Sequence, residues 1–125
     1  MSHESFIQKV AERAGLSRVE AEAIAHATMR TLSERLTGGE ARDLAAQLPR
    51  SFYEDLLPTD EKADGFGVDE FRRRVADRAG VDREKASAGI VAVLAAIRDT
   101  VTSTEWHDVM SQLGKEFAQL VETTG

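Results

Sequence analysis

Sliding the sequence by 65 residues without a gap lays Glu4–Leu56 on Asp69–Val121, and identities fall at Phe6/Phe71, Val10/Val75, Gly15/Gly80, Ala21/Ala86, Thr37/Thr102, Glu40/Glu105, Gln47/Gln112 and Phe52/Phe117. Self-similarity of this kind means one supersecondary unit used twice, each copy burying an apolar face that it cannot bury alone. The expected fold is all-α, a single domain over 1–125 built from two tandem pseudo-symmetric repeats of about four helices each, packed on one shared core. Repeat one covers 1–57, a linker 58–67 and repeat two 68–122. The copies should superpose helix for helix about an approximate two-fold axis.

Caps and apolar spacing place the helices. Ser2 caps a first helix with Phe6, Val10 and Ala14 on one face, and Gly15 supplies its left-handed stop. The equivalent helix of copy two runs from about Val68 to Ala79, with Gly67 at the cap, Glu70 three residues on and Phe66 stapled onto Phe71. Ser17 with Glu20, and Asp82 in copy two, open the long central helices; Gly89–Ile97 (GIVAVLAAI) is apolar on every side and marks the buried centre. Thr37-Gly-Gly-Glu40 and Thr102-Ser-Thr-Glu105 read as capping boxes for a third helix in each copy. Pro49 then starts a short fourth helix to Leu57, whereas Gly114, standing where that proline would be, lets the last two helices of copy two run on as one bent helix to about Glu122. Pro58–Gly67 (PTDEKADGFG) is the candidate linker.

The charge balance narrows the partners. Net charge is −6, with 8 basic against 12 acidic residues over Met1–Gly65 and 8 against 10 over Phe66–Gly125. Neither half offers the excess of Lys and Arg that neutralises phosphates, which speaks against nucleic acid as the main partner. There is no cysteine, hence no disulfide and no thiolate chemistry, and no cofactor motif is evident. Met-Ser-His-Glu lacks the basic and apolar regions of a secretory signal, and no apolar run is long enough to insert in a bilayer, so the expected location is cytoplasmic.

Candidate sites are few. Differences between the copies are informative, because equivalent positions share an environment unless something breaks the symmetry. His26 and Arg30 stand opposite Val91 and Ala95, so repeat one should expose a face that repeat two buries. Glu22, His26 and Arg30 form the candidate interaction face. Glu22 and His26 are four apart on one helix face, but two ligands fall short of the three or four that a transition metal needs, and the pair reads as a solvated surface. Arg72, Arg73 and Arg74 are the basic cluster that could meet phosphate, with Asp69, Glu70 and Asp77 on the same helix to neutralise it. Trp106 reads as a core or inter-repeat plug. No nucleophile elbow or phosphate-binding glycine loop is present. The preferred function is a non-catalytic interaction or scaffold module acting on a protein partner or as a homodimer. The alternatives are nucleic-acid association and a ligand or enzyme pocket between the repeats.

The stretch RLTGGEARDLAAQLP (Arg35–Pro49), following an F-x-x-x-V-A-x-x-A-G start, together with FGVDEFRRRVADRAG (Phe66–Gly80), resembles the prokaryotic family catalogued as domain of unknown function 2267. The resemblance spans nearly the whole chain and implies a small all-helical protein, with no settled activity or catalytic residues to carry over. More locally, Phe6–Leu36 through VAERAGLS (Val10–Ser17) is similar to the N-terminal helical pair of the HU histone-like proteins. In those proteins the pair forms the dimer body, and β-arms, for which this chain has no counterpart, carry the DNA contact.

Overall fold

A computed structural model describes residues 1–57 and 61–122, all of whose regular structure is helical. The first half holds α1 (His3–Ala14), α2 (Arg18–Arg35), α3 (Gly38–Gln47) and a 3-10 turn at Arg50–Phe52; the second holds α4 (Val68–Ala79), α5 (Arg83–Thr100), α6 (Ser103–Leu113) and α7 (Lys115–Glu122).

The helix ends form where the side chains can satisfy free backbone N–H groups. Ser2, Ser17, Thr37, Asp82 and Thr102 each accept from the N–H three residues on, and Gly15 and Gly80 end α1 and α4 at φ 66° and 68°. Only Ser17 and Glu20 complete the reciprocal box. At Thr37 and Thr102 the cap N–H is taken instead by the other half: Thr37 N–H donates to Gln112 Oε1 at 2.9 Å, and Thr102 N–H to Gln47 Oε1 at 2.8 Å. The Val68 N–H is likewise met by Glu116 Oε1 at 2.9 Å, while Glu70 is drawn off by Arg73 and Arg74. At Thr37 and Thr102 the local motif gives way to a longer-range acceptor that sequence spacing does not register.

Two other expectations are corrected. The fourth helix of the first half shrinks to the single 3-10 turn, after which the chain continues in turns to Leu57. Pro49 has no N–H to extend a ladder, and Phe52 and Leu56 are buried as anchors of a corner rather than as one helical stripe. In the second half Gly114, at φ 93°, breaks the chain cleanly, so α6 and α7 are two helices and not one bent one. Of the linker, 58–60 lies outside the described residues. Its remainder is tied down: Gly38 N–H donates to Glu61 O at 3.0 Å, Asp64 N–H to Glu34 O at 2.9 Å, and Arg42 makes a two-pronged ion pair with Glu61.

One hydrophobic cluster takes residues from both halves, from Phe6 and Ile7 through Ile24 and Leu32 to Phe71, Val93 and Phe117. α1 packs on α5 and α4 on α2, so each half closes the other. Many contacts join positions that the 65-residue offset makes equivalent or recur at that offset. Glu20 pairs with Lys85 at 2.5 Å; Arg78 and Arg74 grip Glu34 as Arg13 and Lys9 approach Asp99. α2 and α5 cross where a Cβ added to Gly89 would lie 2.5 Å from Cγ2 of its own equivalent, Ile24.

The centre of α5 is buried as its apolar run predicts: Ile90, Ala92–Ile97 and Gly89 are all inside, with Val91 half-buried at the edge. Leu94→Ala or Ile97→Ala should therefore cost about 2–5 kcal/mol in denaturant unfolding, the range for cavities in a fixed core. Gly89→Val should cost about 2–3 kcal/mol by overpacking the crossing, and adding Ile24→Ala should recover part of that loss. Equal stability of Gly89→Val and wild type would show that the helices do not meet there.

Candidate functional site

The α2 face with Glu22, His26 and Arg30 is not simply solvated. α1 brings His3 over it, and the corner after α3 brings Ser51, Phe52 and Asp55 under it. Phe52 is fully buried and forms a floor against both imidazoles, with ring centroids 5.4 Å from His3 and 5.1 Å from His26. Above that floor Glu22 Oε1 lies 2.7 Å from His3 Nε2 and 3.1 Å from His26 Nε2. The other ring nitrogens are also held. His26 Nδ1 meets Asp55 Oδ2 at 2.5 Å, and His3 Nδ1 meets Ser51 Oγ.

Asp55 anchors this arrangement. It is 6% exposed, and its second oxygen accepts from Arg30 Nη2 at 3.3 Å. A buried carboxylate is stable only when its oxygens are matched, and here one imidazole and one guanidinium match them. Arg30 itself remains 62% exposed, whereas His26 and Glu22 are half-buried. Glu22, His26 and Arg30, which helical spacing sets on one face, are joined here through the Glu22–His26 contact and through Asp55, which both His26 and Arg30 reach. Sequence spacing missed His3, Ser51 and Asp55, for which the signal was available only by comparing halves: the equivalents of His3, Glu22, His26, Arg30 and Asp55 are Val68, Ser87, Val91, Ala95 and Leu120.

The arginines of α4 are brought together but committed. Arg72 pairs with Asp69; Arg73 with Glu70 and Asp77; Arg74 with Glu70, Glu34 and Asp64 while its guanidinium lies 3.8 Å over the Phe66 ring. The bonds from Arg73 and then Arg74 pull the Glu70 carboxyl down to about 2. Trp106 is half-buried against the core, beside a shallow groove that also touches His107 and Met110.

A second polar cluster lies between α3 and α6. Released from their capping role, Glu40 and Glu105 turn towards one another and share a hydrogen bond, with Asp43 and Asp108 close by. Burial first, and then the bond and charge of Glu40, push the Glu105 carboxyl up to about 8; burial raises Glu40 as well. Both carboxyls are raised, and one proton held between them spares the core two buried like charges. The folded chain keeps a proton that the unfolded chain releases near 4.5, so this group's contribution to stability is full below about pH 4.5 and is lost as pH rises through about 8. Urea unfolding at about pH 5 and about pH 8 should show wild type losing stability against Glu105→Gln over that window. Parallel pH profiles for the two proteins would place the proton elsewhere.

No curated protein matches the chain. A family model described as "Uncharacterized conserved protein (DUF2267)" matches residues 3–120, which takes in α1 through most of α7 and the whole of the α3 stretch that carried the resemblance. The chain belongs to that family.

Proposed function

We propose that the protein is a non-catalytic interaction module whose contact surface lies on the first half, on the face that holds Glu22, His26 and Arg30 and extends across the neighbouring corner. The observation that carries this reading is the exposure of large apolar side chains there. Tyr53 is 55% and Leu57 46% exposed, next to the Arg30–Asp55 pair, where the second half has Ala118 and Glu122. Tyrosine and arginine together are the side chains that most often anchor protein interfaces. A groove of about 620 Å³ beside Tyr53, lined by Ala45, Ala46 and Leu48 and by Arg50, Ser51 and Glu54, has the size and the mixed lining to take a partner's side chains.

Reading the halves as two copies of one unit about an approximate two-fold axis belongs to the same proposal, and the contacts paired by the 65-residue offset support it. On this reading the first copy has diverged to present a surface and the second to close the core. Nucleic-acid association is disfavoured because Arg72, Arg73 and Arg74 are each engaged by carboxylates, and releasing them would cost those pairs. Among the described residues no helix is long and apolar enough to cross a membrane.

Tyr53→Ala should weaken self-association in sedimentation velocity, or capture of a cross-linked protein partner, without lowering the unfolding free energy by more than about 0.5 kcal/mol; Arg30→Glu should weaken it too, but at a cost in stability, because it sets a like charge against the buried Asp55 carboxylate. Salt-sensitive DNA binding that survives both changes and is abolished by neutralising Arg72–Arg74 would install the nucleic-acid reading instead.

A further inference from the structure

We propose that His3, Glu22 and His26 form a transition-metal site of the zinc class, with Asp55 and Ser51 orienting the two histidines. Three ligand atoms from two helices converge here: one ring nitrogen of each histidine and a Glu22 carboxylate oxygen all lie within 4.8 Å of one another. Zinc bonds of about 2.0–2.1 Å arranged tetrahedrally set ligand atoms about 3.3 Å apart. The two edges at Glu22 Oε1, 2.7 and 3.1 Å, are already close to that spacing. Two imidazoles with one carboxylate suit zinc and its neighbours rather than magnesium or calcium, which take oxygen ligands.

The outer contacts are those of a built site. A metal-bound histidine needs its other nitrogen held so that the ring presents a lone pair at a fixed angle, and a carboxylate on Nδ1 does this best. Asp55, buried and itself fixed by Arg30, stands on His26 Nδ1, and the Ser51 hydroxyl stands on His3 Nδ1. Both Nε2 atoms are thereby turned towards Glu22. The side chains of His3, Glu22 and His26 are 25%, 34% and 36% exposed, so the ligands reach solvent on one side and leave room for water or a further ligand in the fourth position.

The fold does not require this cluster. In the second half the phenylalanine floor is kept as Phe117, yet Val68, Ser87, Val91 and Leu120 occupy the positions of His3, Glu22, His26 and Asp55. The same scaffold carries mainly apolar residues there, Val68 buried and Ser87, Val91 and Leu120 half-buried. A purely structural role therefore leaves unexplained why one half invests three ligand-type side chains and a buried carboxylate in the same place. A bound ion would tie the start of α1 to α2 and, through Asp55 and Ser51, to the corner that carries Tyr53; the proposal stands independently of any interaction surface there.

The test uses the full chain without an affinity tag, stripped with chelator and titrated with Co(II) and then Zn(II). The expected result is one Co(II) per chain with the intense visible bands of tetrahedral coordination, displaced by one equivalent of Zn(II), and a rise in melting temperature with Zn(II). His3→Gln, Glu22→Gln and His26→Gln should each abolish those bands. Asp55→Asn should weaken affinity about 10–100-fold with the bands retained, as loss of an orienting carboxylate does. His107→Gln, on α6, and Tyr53→Ala should bind as wild type does. Circular dichroism reports folding of each variant, and if a histidine variant unfolds, the wild-type stoichiometry and Glu22→Gln decide. Absence of stoichiometric binding, or binding that Glu22→Gln and His26→Gln leave unchanged, would overturn the site and leave a histidine–carboxylate hydrogen-bond cluster.

Discussion

The close crossing of α2 and α5 governs the rest of the structure. With no side chain on Gly89, α5 can lie against Ile24, and the two long helices become a common wall on which α1 and α4 each pack against both. Each half then completes the core of the other, which is why the most deeply buried side chains, Phe6, Ile24, Phe71 and Val93 among them, come from both. Neither half offers α1 or α4 a complete seat on its own central helix alone, so stability depends on the pair.

Polar contacts then fix how the halves meet. The reciprocal bonds from Thr37 to Gln112 and from Thr102 to Gln47 make the start of α3 and of α6 depend on the opposite half. Arg35 adds a directional clamp: its guanidinium donates to Gln112 O, Leu113 O and Phe66 O, supplying the last turn of α6 with the cation that a helix C-terminus favours. Burial lowers the Arg35 pKa, yet three carbonyls accept from its Nε, Nη1 and Nη2 and keep the charge satisfied. Like charges gather at Glu40 and Glu105, with Asp43 and Asp108 nearby, and a proton shared by the buried pair relieves that conflict.

Against this matched frame, the differences between halves acquire meaning. Contacts recur at the 65-residue offset, Arg78 with Glu34 in one place and Arg13 with Asp99 in the other. At the equivalent positions the second half carries the apolar Val91, Ala95 and Leu120, of which Ala95 is buried and the other two half-buried. The first half spends the same positions on His26, Arg30 and Asp55, gathers His3 and Glu22 to them, and leaves Tyr53 and Leu57 in solvent.

What the sequence determined by itself is local or periodic: the all-helical class, the left-handed stops at Gly15 and Gly80, the caps at Ser2, Ser17 and Asp82, and the buried run of α5. These follow from backbone conformations and hydrophobic spacing that a stretch of a dozen residues carries within it. Its placing of Glu22, His26 and Arg30 on one face was of the same kind, since helical geometry alone brings them together. Only the tertiary structure decided where longer-range donors and acceptors went: Gln112 and Gln47 to the threonine caps, Glu116 to Val68, and Glu105 to Glu40. It alone turned a two-residue pair into a cluster, because His3 and Asp55 reach His26 across gaps of 23 and 29 positions that no helical period connects. Side-chain partners separated by that much chain are chosen by packing, and packing is a property of the assembled core rather than of any segment.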